Sequence, residues 1–71
     1  MRKYLIVIEE TSSGLSAYSP DLDGCISTGR TRREIEKNMQ QAIAFHLDGL
    51  RLEGMEVPDP HAYSTYVELP A

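Results

Sequence analysis

The chain has 71 residues, of which 41% are hydrophobic and 25% charged, and its formal net charge is −4. Its single cysteine excludes an internal disulfide, and its apolar run Leu5 to Ile8 is too short for a signal peptide or a membrane span, so we expect a cytoplasmic protein. The acidic balance disfavours binding along a nucleic-acid backbone, which requires clustered lysine and arginine, and favours a basic partner.

Residues 1–10 predict a first strand whose two faces are both apolar. One face carries Tyr4, Ile6 and Ile8, and the other carries Leu5 and Val7. One helix covers only one face of a small sheet, so the other face would be expected to be polar. The simplest cover for an apolar second face is another copy of the chain. A domain this short also buries only roughly 60% of its unfolded surface. We therefore predict a homo-oligomer, either a dimer or a tetramer.

Two further short strands follow, separated by a tight turn. A polar hairpin loop precedes the second predicted strand, residues 15–19, which ends at Pro20 because proline cannot donate to a ladder. In the turn, we expect the Asp21 side chain to accept hydrogen bonds from the turn amides and Gly24 to take a positive φ. Residues 25–28 predict the third strand.

A long amphipathic helix is predicted after the third strand. Thr31 and Glu34 have the spacing of a capping box, in which each side chain bonds the other residue's backbone amide. The apolar face continues to about Leu52, and Gly54 follows as the residue that ends the helix. Gly49 lies inside the helix, where glycine costs about 1 kcal/mol relative to alanine, so we expect close packing there to require a small residue.

A last strand is predicted over residues 63–69, with Tyr63, Thr65, Val67 and Leu69 on one face and Tyr66 on the other. The resulting element order is β-β-β-α-β, with one helix packed across a small sheet. The predicted fold class is therefore α+β, a sandwich of two layers. We expect residues 1–71 to form a single domain.

Four stretches, in this order and spacing, resemble the HicB-type antitoxin domain of bacterial and archaeal toxin–antitoxin pairs. They are "KYLIVIEE", "YSPDLDGCISTGRTRREIEKNM", "QQAIAFHLDGLRLEGMEVPDP" and "YSTYVEL". Together they cover essentially the whole chain. The resemblance implies a partial RNase H-like sandwich, assembly into dimers or larger oligomers, and a partner that is a small basic toxin cleaving messenger RNA. Many relatives also carry a C-terminal DNA-binding segment. This sequence shows none after Leu69, so we do not expect direct DNA binding.

The residues predict no catalytic, cofactor or metal site. A metal-dependent nuclease on this fold would need a carboxylate in the middle of the first strand, whereas Glu9 and Glu10 lie at its end. Cys25 at a strand start and His46 on the apolar helix face are both expected to be packed side chains. The helix start carries four basic residues interleaved with Glu34 and Glu36, which predicts a solvated face: Arg30, Arg32, Arg33 and Lys37.

Protein binding is the predicted function. Asp21 and Asp23 match only a fragment of a calcium loop, and we expect both on an acidic rim that steers a basic partner. Phe45 lies off the apolar helix face, and the two tyrosines of the last strand suit an interface. The predicted interface residues are Glu9, Glu10, Asp21, Asp23, Phe45, Tyr63 and Tyr66. The predicted structural residues are Pro20, Asp21, Gly24, Thr31 and Glu34.

Two functions remain open from the sequence. The first is an antitoxin that blocks a basic ribonuclease toxin by occlusion. The second is a standalone homo-oligomeric module that senses a ligand or a protein and has no toxin partner. No residue separates these two possibilities.

Overall fold

The computed structural model describes residues 2–71, and Met1, with which the first predicted strand begins, lies outside them. Along the described chain the elements are β1 (Val7–Thr11), β2 (Gly14–Tyr18), β3 (Ile26–Gly29) and α1 (Arg32–Leu52). The strands form an antiparallel sheet in the order β1-β2-β3, and α1 packs across β2 and β3. The predicted α+β class is confirmed.

The strand register decides which side chains face the helix. Ile8 lies opposite Ala17, which lies opposite Ser27, and this row faces α1. The three residues predicted to share one face of the first strand pack against the buried core: Tyr4, Ile6 and Ile8. The buried core itself consists of Ala17, Leu22, Cys25, Ile35, Met39 and Leu47. β1 begins only at Val7 because Val7 pairs with Tyr18, the last residue of β2, so earlier residues have no opposing strand.

The turn between β2 and β3 is held by three backbone hydrogen bonds. The amide of Ser19 donates to the carbonyl of Cys25 at 3.3 Å, and the amide of Leu22 donates to the carbonyl of Ser19 at 3.2 Å. The amide of Cys25 donates to the carbonyl of Leu22 at 3.3 Å. Pro20 lies outside the ladder, and Gly24 has a φ of +75°. Gly24 therefore has the positive φ expected of it, a left-handed conformation that favours glycine at this position.

The helix begins at the predicted cap, with one difference in the hydrogen bonding. The hydroxyl of Thr31 accepts from the backbone amide of Glu34 at 3.1 Å. The Glu34 carboxylate accepts from the amide of Arg30 at 2.8 Å, one residue before the cap that a capping box would use. Thr31 and Glu34 are thus correctly predicted as cap residues. The Glu34 carboxylate, however, accepts from the amide of Arg30 and not from that of Thr31.

The helix ends in a Schellman motif around Gly54, the residue that was predicted to end it. Gly54 has a φ of +72° and donates its amide to the carbonyl of Arg51 at 3.1 Å. The amide of Met55 donates to the carbonyl of Leu50 at 2.9 Å. These two bonds satisfy carbonyls that the helix itself leaves free.

The prediction of a fourth strand is wrong for the single chain. Residues 53–71 contain no strand, and the side chains of Tyr63, Tyr66, Val67 and Leu69 are largely exposed. These residues have the composition of a strand, but a strand exists only where a neighbouring edge accepts its hydrogen bonds. The sandwich therefore consists of three strands and one helix.

Candidate protein-binding surface

An open groove lies between the C-terminal half of α1 and the start of β3. It has a volume of about 450 Å³. Its lining, which defines the helix-end groove, includes Ile26, Ala42, Phe45, His46, Gly49 and Leu50. Phe45 is 82% exposed and Ile26 is 69% exposed, so the walls of the groove are apolar surface in contact with water. Exposed apolar walls around a concave site are typical of a protein-binding surface.

Gly49 forms part of the floor of this groove. A Cβ atom added at Gly49 would meet no atom within 4 Å. The expectation that packing within the chain requires a small residue here is therefore wrong, because the space above Gly49 is open. A group from outside the chain can approach the helix backbone closely at this point, which a larger residue would prevent.

Unpaired carboxylates border the groove. A second cavity of about 370 Å³ adjoins it, shares His46 and Leu50, and is also lined by Asp23 and Glu56. Glu53 lines the first cavity. Among residues 2–71, the ion pairs do not include Asp23, Glu53 or Glu56. The apolar groove therefore has an acidic border that suits a basic partner.

The predicted acidic rim is divided between two ends of the molecule. Glu10 lies opposite Leu15 at the start of β2, whereas the turn containing Asp23 follows Tyr18 at the other end of that strand. Glu10 lines a cavity together with Arg32, which lies 3.8 Å from the carboxylate of Glu36. The four predicted rim residues do not form one surface. Asp21 and Asp23 both line the cavity beside the helix-end groove, and of these two the Asp21 side chain is buried.

Asp21 is a buried anchor and not an exposed rim residue. Its side chain is 1% exposed. One carboxylate oxygen accepts from the amides of His61 and Ala62, each at 3.2 Å, and the other lies 3.1 Å from Nδ1 of His61. The expectation that it binds the turn amides is also wrong, since it accepts from amides that lie 40 and 41 residues further along the chain.

Other contacts hold the same segment against the sheet. The hydroxyl of Tyr4 donates to the carbonyl of Pro58 at 2.6 Å, and Arg2 lies 3.7 Å from the carboxylate of Asp59. Val57 packs against the core. Residues 57–62 are therefore fixed, and we call this stretch the anchored segment.

The remaining predicted residues separate into two places. Phe45 belongs to the helix-end groove, whereas Tyr63 and Tyr66 lie beyond the anchored segment and are 88% and 100% exposed. His46 is half-buried between the two cavities. Cys25 is buried, and burial raises the pKa of its thiol, which disfavours a reactive thiolate.

The described residues contain no cluster of three metal-ligating side chains. The helix α1 is not apolar enough along its length to cross a membrane.

Sequence reasoning missed Glu53, Glu56 and Ile26 as members of this surface. A signal for the two glutamates was present, because residues 48–59 contain four acidic residues and one arginine. That arginine, Arg51, lies 3.3 Å from Asp48 and so does not neutralise the border. No comparable signal marked Ile26, whose exposure depends on where α1 crosses the sheet.

Comparison with known proteins identifies relatives over nearly all of the chain. The family model for a HicB-like antitoxin of bacterial toxin–antitoxin systems matches residues 4–71. A chain of the HicA3 and HicB3 toxin–antitoxin complex is 40% identical with a TM-score of 0.73, over 83% of this chain and 70% of that one. A UPF0150 protein of Synechocystis is 36% identical over 56 residues, 78% of this chain and 71% of the relative.

A longer relative comes from a bacteriophage. An uncharacterized 14.9 kDa protein of Haemophilus phage HP1 is 34% identical over 67 residues, which are 94% of this chain. The chain spans 50% of the length of that relative. The similarity therefore covers one half of the phage protein.

Proposed function

The chain belongs to the HicB-like antitoxin family of bacterial toxin–antitoxin systems, and we propose that it neutralises a small basic toxin of the HicA type, which cleaves messenger RNA. It does so in the cytoplasm by binding, and it makes or breaks no covalent bond. The observation that carries this proposal is the helix-end groove, an exposed apolar site bordered by unpaired carboxylates. The similar chain that belongs to a HicA3 and HicB3 complex supports the choice of partner.

The apolar and the charged parts of the groove would have separate roles in binding the toxin. An apolar or aromatic side chain of the toxin would lie over Gly49, between Phe45 and Ile26, where burial provides most of the binding energy. Asp23, Glu53 and Glu56 would attract the basic surface of the toxin and accelerate its association. A toxin held in this way has its basic surface, which RNA would need, covered by the antitoxin.

We also propose that the chain acts as a homo-oligomer, a dimer or a tetramer. Support comes from the sheet face that α1 does not cover. On that face Val7 lies opposite Tyr18, so that their side chains form one apolar row across β1 and β2. A second copy would remove this row from water.

The direct test measures toxin activity. A HicA-type toxin from the same host is incubated with a reporter messenger RNA, and the full chain is added in increasing amounts. Cleavage is expected to stop when the chain reaches the toxin in stoichiometric amount. Undiminished cleavage at saturating chain would contradict the proposal and favour the standalone homo-oligomeric module.

A matched pair of variants tests the acidic border. Replacing Glu53 and Glu56 with glutamine removes two charges beside the groove, and replacing Glu9 and Glu10 removes two charges at the far end. Electrostatic steering changes association rates by tenfold or more, so we expect the first pair to slow toxin association by about threefold to tenfold at low salt. We expect the second pair to change it by less than about twofold. Equal effects in stopped-flow measurements would show that net charge, and not the border, attracts the toxin.

A further inference from the structure

The chain exposes more surface than a compact protein of its mass. Its accessible surface is 6115 Å², whereas a compact monomer of this size exposes roughly 4,450 Å². Its radius of gyration is 14.0 Å, compared with roughly 11 Å for a domain of this length. The excess of roughly 1,650 Å² is larger than the area of about 800 Å² that each partner buries in a standard interface. Part of the chain therefore extends away from the compact domain and exposes enough surface to pack on another molecule.

Much of this excess lies in residues 63–69, which we call the free segment. Tyr63, Val67 and Leu69 share one side by their period of two, and they are 78–88% exposed. The hydrogen bonds of the described chain include none that joins the backbone of this segment to another element. It is an apolar, β-prone segment that lacks a neighbouring strand.

The starting point of the free segment is fixed. Ala62, the residue just before it, donates its amide to the buried carboxylate of Asp21. Tyr66 lies near Ile6 and Ile8, across an open cavity of about 430 Å³. The segment is thus held next to a sheet edge without forming a ladder with it.

One sheet edge is better suited than the other to accept a strand. At the β3 edge, the side-chain amide of Asn38 already donates to the carbonyl of Thr28 at 2.8 Å. The β1 edge is free in the described chain, and α1 lies closer to β2 and β3 than to β1. A trough lined by Tyr4, Ile6 and Ile43 therefore remains open between β1 and the helix.

We propose that the free segment of one copy pairs as a strand with the β1 edge of a second copy, and that the second copy returns the same contact. Tyr63, Val67 and Leu69 then enter the trough beside α1 of the partner copy, and their backbone groups complete the ladder. The segment does not pair with its own β1 edge, and the excess surface is large enough for a two-copy interface. These contacts join two identical chains, so they form whether or not a toxin is present.

Isotope-filtered NMR on the full chain tests where the free segment lies. Copies labelled with ¹⁵N and ¹³C are mixed with unlabelled copies, and intermolecular nuclear Overhauser effects are recorded. We expect them between residues 64–68 of one copy and residues 5–9 of the other. The same effects found only within one copy, or none at all, would overturn the proposal.

A proline scan provides the second test, with its own control. Proline is placed singly at each of residues 64–68, and the dimer dissociation constant is measured by sedimentation equilibrium. In an added edge strand, alternate amides face the acceptor strand and the others face solvent. We therefore expect at least tenfold weaker dimers at alternate positions and less than about threefold change at the positions between them. A uniform effect, or none, would show that the segment does not form a ladder between copies.

Discussion

Replacing Gly49 with leucine tests the stability of the fold and the proposed function of the helix-end groove separately. Glycine inside a helix lowers helix stability, and at Gly49 no atom of residues 2–71 lies within 4 Å of where a Cβ atom would be. The Cβ atom of a leucine at this position would therefore displace no neighbour. Replacing a glycine that packs against another element usually destabilises a small domain. A stabilised Gly49→Leu variant would therefore be informative.

The expected magnitude follows from helix propensity. Glycine costs about 1 kcal/mol relative to alanine inside a helix, and leucine is nearly as favourable as alanine. We expect the free energy of unfolding to rise by about 1 kcal/mol. For a domain of this size that corresponds to an increase of roughly 4–8 °C in Tm. Urea unfolding followed by circular dichroism, at one fixed protein concentration, measures this change.

The same substitution should weaken toxin binding. The new side chain would occupy the floor of the helix-end groove, where the proposal places an apolar side chain of the toxin. We expect at least a tenfold loss of affinity by calorimetry, equivalent to about 1.4 kcal/mol. Ala44 is an exposed helix position outside the groove, so Ala44→Leu is the matched control and should bind the toxin unchanged.

Two results would refute this reasoning. A destabilised Gly49→Leu variant would mean that the space above the glycine is filled in solution. A stabilised variant with unchanged toxin affinity would show that the toxin binds elsewhere on the antitoxin. The second result would leave the proposed function intact and remove only the groove from it.

Three further predictions concern the fold. Asp21→Asn removes a buried carboxylate that accepts two backbone amides, so we expect unfolding to become easier by about 1–3 kcal/mol and the amides of His61 and Ala62 to exchange faster with deuterium. Burial raises the pKa of the Cys25 thiol, so the folded protein holds this proton more tightly than the unfolded chain. Its stability should therefore fall as pH rises above roughly 8.5, and urea titrations of Cys25→Ala should lack this component. Thr31→Ala removes the helix cap and should lower the free energy of unfolding by about 1 kcal/mol in the same assay.

The elements that the sequence predicts correctly are those determined by neighbouring residues. Thr31, Glu34 and Gly54 act within one helical turn of the ends they define, so their spacing along the chain is sufficient. The free segment has equally strong strand residues, but its state depends on an edge elsewhere. A sequence pattern reports that a segment can form a strand, and it does not report which edge will accept it.

The proposed binding surface was only partly predictable for a related reason. Phe45 could be recognised because it lies off the apolar face of its own helix. The division of the acidic residues depends on strand register, which places Glu10 and Asp23 at opposite ends of β2. The burial of Asp21 depends on amides that lie 40 and 41 residues away, and no local pattern indicates a contact of that length.

The two proposed surfaces lie at different places on the sheet, and this has a consequence for the assembly. The helix-end groove lies beside β3, whereas the free segment of a second copy would lie along β1, and the two sites share no residue of the sheet. A dimer formed by strand exchange would therefore keep both of its grooves open and could hold two toxin molecules. Substitutions at Gly49 should change the affinity of each groove without dissociating the dimer. Proline at the sensitive positions of the free segment should dissociate the dimer without changing the affinity of each groove. Because the sites are separate, the two effects should add in a combined variant.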